Sequence, residues 1–321
     1  MNNLLIIFSV VLVAAGITQV VRILELTAGI SGRDNKVTDK DNKMQGGLML
    51  LWLFVMLGGF IWMLVVWGPK MLPESASAHG VQIDNLFNIT MAIIIVVFFV
   101  TNILLFYFAW KYKGEKGKKA YFLSHNNKLE LIWTSVPAVV LTVLIAYGLN
   151  TWGNIMNSDT SESTVVEFYA RQFDWTARMA GEDNILGKAD VRNVEGINLV
   201  GADMDDPNSA DDIMVRGEIH IPVGQAYLFR FRSQDVIHSA YFPHFRMQMN
   251  CVPGMNTQFA FTPIITTEEM RVITDNPEFD YLLLCNKICG AAHYNMQMNV
   301  VVDSEADYKA WLGEQTAMKD M

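Results

Sequence analysis

Of the 321 residues, 51% are hydrophobic and only 18% are charged, and the mean hydropathy is +0.22, which is rich for a chain folded wholly in water. The net charge of −9 argues against a nucleic-acid partner, because phosphate binding needs Lys and Arg in excess. Three cysteines, Cys251, Cys285 and Cys289, make no disulfide framework.

The apolar residues crowd into the first half. About 20 of them in a row cross a bilayer, and four such stretches are predicted, at about 4–21, 45–68, 86–110 and 131–152. The opening Met1-Asn2-Asn3 lacks the basic residues that begin a cleaved signal peptide, so the first stretch reads as a retained membrane helix. Arg22, Arg33, Lys36, Lys40 and Lys43 lie between the first two stretches, and Lys111, Lys113, Lys116, Lys118 and Lys119 follow the third. Between the second and third, the loop from Pro69 to Asp84 holds Lys70 as its strong base. Cytoplasmic loops retain Lys and Arg. Both basic loops are therefore expected inside, with the N-terminus and the large C-terminal portion outside. Pro137 is expected to bend the first turns of the fourth helix.

From Thr164 the texture changes to short β-branched and aromatic runs broken by Gly, Pro and Asn. Strands are predicted at 165–169, 226–232, 257–261, 281–284 and 296–302, which suggests an antiparallel sandwich or barrel. Residues 180–215 are polar, and Asp203, Asp205, Asp206, Asp211 and Asp212 fall within them. They read either as a solvated loop or as a docking patch for a basic partner. Ser304, three before Asp307, opens a predicted short helix through Tyr308, Trp311 and Leu312 that packs on the sheet.

The chemistry concentrates in Cys285-Asn286-Lys287-Ile288-Cys289-Gly290-Ala291-Ala292-His293-Tyr294-Asn295-Met296. Thiolate and thioether sulfur select copper, and imidazole suits it too. Zinc would use the thiols and the imidazole but not the methionine. The spacing is too short for two sites, so one loop folds around one metal centre. Such a centre needs a ligand from elsewhere. His79 and His125 lie in or beside membrane loops, and His220 in Glu-Ile-His-Ile reads as structural. His238, just after an alternating strand, and His244, six residues on, are the candidates. Cys251 is left as a small buried residue.

Taken together, Asp235-Val236-Ile237-His238-Ser239, Val252-Pro253-Gly254-Met255, the Cys-x3-Cys-x3-His-x2-Met loop and His125-Asn126-Asn127-Lys128-Leu129-Glu130-Leu131-Ile132-Trp133-Thr134 resemble subunit II of haem–copper cytochrome c oxidases, from about residue 86 onward. Residues and resemblance together give a membrane α plus all-β fold, with the four predicted transmembrane helices, the first two of them outside the resemblance, followed by the cupredoxin-like Greek-key domain that the resemblance implies. Residues 1–80 would form an extension with two transmembrane helices, 81–157 a helical hairpin and 158–321 the cupredoxin-like domain. It implies a dinuclear CuA centre, with Cys285 and Cys289 bridging two copper ions, His238 and His293 binding one each, and Met296 and the Lys287 carbonyl as axial ligands. Two bridging thiolates spread one electron over both metals. The chain would then accept electrons from cytochrome c, or from a haem-c domain, and pass them to the haem of subunit I, which bears CuB. Oxygen reduction there is coupled to proton pumping. Subunit III and membrane lipid would be further partners, in a bacterial inner membrane.

Some positions depart from the family pattern. Lys287 stands where a glutamate usually helps bind magnesium at the subunit I boundary, and an ammonium is no ligand for a hard cation. Asn250 replaces a common aspartate. The strip Gln172-Phe173-Asp174-Trp175 matches Gln-Trp-x-Trp, with Phe173 in place of the tryptophan where electrons often arrive. Trp175 could take that role or be ordinary core. Asp235 resembles an acid of the cytochrome c docking face, and a role behind a metal ligand is equally open. Glu130 resembles the glutamate at the mouth of a proton path, or is a helix-start charge favoured by the dipole. The first two helices would dock neighbouring helices, such as those of a quinol-oxidising electron-donating complex in a supercomplex. Other readings are a quinol oxidase subunit, which lacks the copper ligands, and a membrane-anchored copper carrier, which has no use for the Glu130 segment.

Overall fold

The computed structural model describes residues 2–30 and 37–321, with side chains at 8–9, 11–27 and from 37 onward. Four long helices come first: α1 Asn2–Ile30, α2 Asp39–Trp67, α3 Ala78–Lys111 and α4 Asn127–Met156. Among the described residues three of them, α2 to α4, are long and apolar enough to cross a membrane. The expected count of four is therefore not matched. The first expected span, 4–21, is helical, but several of its side chains lie outside the described residues, as do Arg33 and Lys36 of the first basic loop.

The helices outrun the apolar stretches that announce them. At about 1.5 Å per residue, the 34 residues of α3 exceed the ~30 Å hydrocarbon core. Helical hydrogen bonding does not stop where lipid does. Helix α4 is opened by Asn126, whose side chain accepts from the Leu129 amide at 3.1 Å, and it runs on through Pro137. Among described residues of α2, α3 and α4, only Gly46, Leu53, His79, Gly80 and Thr151 are buried within the chain. Such bare apolar helices are stable only in an apolar surrounding.

The chain divides into two compact units, 1–66 with 95–125, and 67–94 with 126–321. In the first, α2 meets the later half of α3 through Phe60 against Phe98, ring centroids 4.8 Å apart. The Asn42 amide also donates to the Gly114 carbonyl at 3.1 Å.

The second unit carries ten strands: β1 Thr164–Arg171, β2 Asp174–Met179, β3 Ile213–Arg216, β4 Glu218–Pro222, β5 Tyr227–Ser233, β6 His238–Phe242, β7 Met247–Cys251, β8 Thr257–Phe261, β9 Tyr281–Cys285 and β10 Gln297–Asp303. They form two five-stranded sheets, β3-β2-β1-β5-β8 and β4-β10-β9-β6-β7. The expected antiparallel arrangement is corrected at two places, since β1 runs parallel to β5 and β10 parallel to β4. Alternation buries Tyr227, Phe229 and Phe231 of β5 on one face, and with Phe168, Phe242, Phe245 and Phe261 they fill the core. The short helices α5 Thr267–Thr274 and α6 Glu305–Gly313 complete the unit. Ser304 caps α6, and Tyr308, Trp311 and Leu312 pack on the core as the sequence predicts. His220 is structural: its ring stacks on Trp311 at 4.6 Å between the carboxylates of Glu218 and Asp303.

The start of α3 is anchored to the strands around it. Ser77 Oγ donates to the Phe245 carbonyl at 2.8 Å, and Arg246 Nε pairs with Asp84 at 2.8 Å. The polar stretch 180–215 is also tied down. Arg178, only 2% exposed, lies between Glu167 and Asp212 at 3.1 and 3.2 Å. Arg232 makes a second pairing to Glu167 at 2.6 Å and donates to the Val200 carbonyl at 2.8 Å. The reading of Asp212 as a solvated acid is thereby corrected. It is fully buried, because Arg178 and the Gly187 amide give its carboxylate partners inside.

Candidate metal centre

Strand registry brings the distant histidine to the thiols. Strand β6 pairs with β9 so that Ala240 faces Cys285, which places His238, two residues before Ala240, beside the end of β9. Two backbone bonds close the base of the loop that follows. The Cys285 amide donates to the Met296 carbonyl at 3.1 Å, and the Asn286 amide donates to the Ser239 carbonyl at 2.9 Å. A turn over His293–Asn295 then returns the chain into β10.

Within this frame the donors converge. Cys285 Sγ lies 3.8 Å from Cys289 Sγ, 3.8 Å from His238 Nδ1 and 3.3 Å from the Lys287 carbonyl. Cys289 Sγ lies 3.6 Å from His293 Nδ1 and 3.8 Å from Met296 Sδ. The donor atoms of His238, Cys285 and Cys289 all fall within 4.8 Å of one another, and they are the one such group of three or more among the described residues. His238, Cys289 and Met296 are buried, while Cys285 and His293 are half-buried. Burial, together with the neighbouring Cys285, pushes the Cys289 thiol up to about 11. A metal ion bound between the two sulfurs would displace the thiol protons, since the ligand form is the thiolate. The donor set suits copper, with a buried thioether that zinc would leave unused.

The second histidine candidate is excluded. His244 sits among the rings of Phe279 and Tyr281, and burial followed by the Arg246 charge moves it down to about 4. Cys251 is fully buried, and burial pushes its thiol up to about 12, so it remains a protonated core side chain.

Other sequence-predicted residues separate clearly. Asp235 holds His238 from behind, its Oδ1 lying 2.8 Å from Nε2. Trp175 is wholly buried, edge-on to His238 with centroids 6.3 Å apart, and cannot touch a partner directly. Phe173 is half-buried, and the Lys287 side chain is exposed. Glu130 stands exposed on the first turn of α4. Sequence reasoning missed Gln172, whose side-chain amide donates to the Cys289 carbonyl. Its place beside Phe173 in the matched strip was the available signal.

Gly290 makes room for this packing. A Cβ there would lie 2.8 Å from Gln172 Nε2 and from the Phe173 ring, at a φ of +142°. Gly290→Ala is expected to destabilise the domain by about 1–3 kcal/mol, as overpacking does, and to lower copper retention. Thermal unfolding with metal analysis checks both.

Comparison with known proteins follows the same division. Residues 65–151 match the family described as cytochrome c oxidase subunit II, transmembrane domain, and residues 171–304 match its periplasmic domain. The alternative cytochrome c oxidase subunit 2 of Bradyrhizobium diazoefficiens is 37% identical over 235 residues, covering 73% of this chain and 80% of that one. The cytochrome c oxidase subunit 2 of Thermostichus vulcanus is 27% identical over 277 residues, covering 77% and 79%. A solved periplasmic domain of subunit II from Bradyrhizobium japonicum aligns at 14% identity and a TM-score of 0.33, over 48% of this chain and 93% of that one. Both family domains in order, and a relative matched over most of its length, show that the chain belongs to the cytochrome c oxidase subunit II family.

Proposed function

We propose that this chain is the subunit of a cytochrome c oxidase at which electrons from cytochrome c arrive before passing to the haem of subunit I, where oxygen is reduced and protons are pumped. The convergence of three side-chain donors, His238, His293 and Met296, and one carbonyl on two adjacent sulfurs carries this reading. Cys285, Cys289, His238, His293, Met296 and the Lys287 carbonyl would together hold two copper ions. A bound copper pair would supply a one-electron relay there. The residues themselves fix the ligand geometry. Closed strand registry holds Cys285, and the buried thioether of Met296 keeps water from one side.

The 158–321 region supplies 25 of the 33 acidic residues but 12 of the 24 basic ones. That excess would steer a basic donor, whether a soluble cytochrome or a haem-c domain. We place this domain and the N-terminus on the outer face of a bacterial inner membrane, with α1 as a fourth span. The remaining boundaries follow as 1–80 for the extension and 81–157 for the hairpin. Helices α1 and α2 would meet neighbouring subunits, subunit III or an electron-donating complex among them. A magnesium ion at the subunit I boundary would draw no ligand from the Lys287 side chain. Phe173 would lie at the arrival face, with Trp175 behind it.

The test is metal analysis with EPR on the full-length chain. Two coppers sharing one unpaired electron are expected, and a colourless, copper-free protein or a lone zinc ion overturns the reading. For Glu130, the proton-path role predicts that Glu130→Gln slows oxidase turnover at unchanged copper content. Turnover equal to wild type in that variant rules the role out.

A further inference from the structure

The two loops that carry the metal donors are separate in sequence, and both are hydrogen-bonded to one residue of the opposite sheet. Gln172 follows β1, whose sheet contains none of the donors. Its backbone N–H donates to Asp235 Oδ2 at 2.7 Å, and its side-chain amide donates to the Cys289 carbonyl. Asp235 in turn accepts from the Val236 amide at 2.7 Å and faces His238 Nε2 at 2.8 Å. A carboxylate on Nε2 takes the imidazole N–H there. The lone pair is thereby left on Nδ1, the nitrogen turned toward Cys285 at 3.8 Å. Gly290 completes the arrangement, since any Cβ would collide with this same amide.

We propose that Gln172 is a positioning residue that braces the metal centre from the opposite sheet. Through Asp235 it sets the tautomer and rotation of His238, and through the Cys289 carbonyl it fixes the sulfur loop against His238. The two halves of the centre then keep one separation when its charge changes, which is the condition for low reorganisation in electron transfer. The proposal rests on the copper reading of this loop.

Gln172→Met keeps the length and apolar volume of the side chain but deletes the amide donor to Cys289. Asp235→Asn leaves the shape and weakens the hold on His238. Each is made in the full-length chain within its oxidase complex. Copper affinity is measured by competition with a chelator, and the histidine nitrogen couplings of the copper signal by pulsed EPR. In both variants affinity is expected to fall about 10–100-fold, as when partners of metal ligands are removed. Altered couplings are expected for His238 in Asp235→Asn and for His293, on the loosened sulfur loop, in Gln172→Met, whose backbone N–H still reaches Asp235. The double variant is expected to lose no more than the larger single loss, because the two residues form one chain of bonds. A residue that merely supports the fold would lower the melting temperature and leave the couplings unmoved. Wild-type affinity and couplings in Gln172→Met overturn the brace, as do losses that add independently. A wild-type chain that binds no copper overturns the metal reading instead, so the two failures are distinguishable.

Discussion

Cys289→Ser is expected to abolish copper binding while leaving the β fold in place. Cys289 has the Cys285, His293 and Met296 donor atoms within 3.8 Å, as many of the donor set as Cys285 has. A hydroxyl keeps the volume of the site but is a hard donor that stays protonated near neutral pH, and copper selects the soft thiolate. Removing an outer-shell partner of a metal ligand costs about 10–100-fold in affinity, so loss of a shared ligand is expected to exceed about 100-fold. The thiol is only 5% exposed. The substitution therefore leaves a buried hydroxyl, which costs about 1–3 kcal/mol if it finds no partner. Competition with a chelator and the intensity of the copper signal measure the first effect, and chemical unfolding measures the second. A variant that still holds two coppers sharing one electron would remove Cys289 from the ligand set.

Arg178→Ala is expected to be the most destabilising single change outside the metal loop. The guanidinium is 2% exposed and pairs with two carboxylates, Glu167 at 4% and Asp212 at 0% exposure. It also donates to the Gly187 carbonyl at 3.0 Å. Its removal leaves Asp212 with no cation in contact, and breaking a buried pair in this way costs about 3–5 kcal/mol. For a domain of this size that corresponds to a Tm lower by about 6–20 °C. The stretch 180–215 is expected to loosen first, because these bonds fasten it to the sheet, and amide exchange there would report it. A Tm within 2 °C of wild type, on the order of 1 kcal/mol, would contradict this account.

The same cluster gives a pH dependence of defined sign. Burial raises Asp212 from 3.8 to about 6, against the opposing pull of the Arg178 charge. A carboxyl whose folded value lies above its unfolded value binds its proton more tightly in the folded state. Its contribution is therefore fully present below 3.8 and is lost as the pH rises through about 6. Stability measured between these values is expected to carry a component that falls with rising pH, and Asp212→Asn is expected to remove it.

Much of this protein can be read from the linear chain. The spans around 45–68, 86–110 and 131–152 follow from runs of apolar side chains, since a helix satisfies its own backbone and only composition decides whether lipid can surround it. Strands β1, β5, β8, β9 and β10 follow from alternation and β-branched residues. The spacing Cys285, Cys289, His293, Met296 defines the metal loop because those donors lie on one short segment. The strands that escaped notice are the polar or irregular ones. Strand β7 reads Met-Gln-Met-Asn-Cys and β3 is four residues long, so neither carries enough local signal to compete with a loop.

What only the tertiary structure decided lies between distant segments. Two histidines six residues apart look alike in sequence, but the pairing of β6 with β9 delivers His238 to the sulfurs and leaves His244 among aromatic rings. Asp212 reads as one acid in a solvated run, yet it is buried against an arginine 34 residues away. Gln172 reads as part of an aromatic strip, yet it joins the two donor loops from the opposite sheet. Local composition fixes which side chains can bind a metal or face lipid, because those are properties of single residues and short runs. Registry and sheet packing fix which of them meet, because contacts across long separations depend on the whole fold.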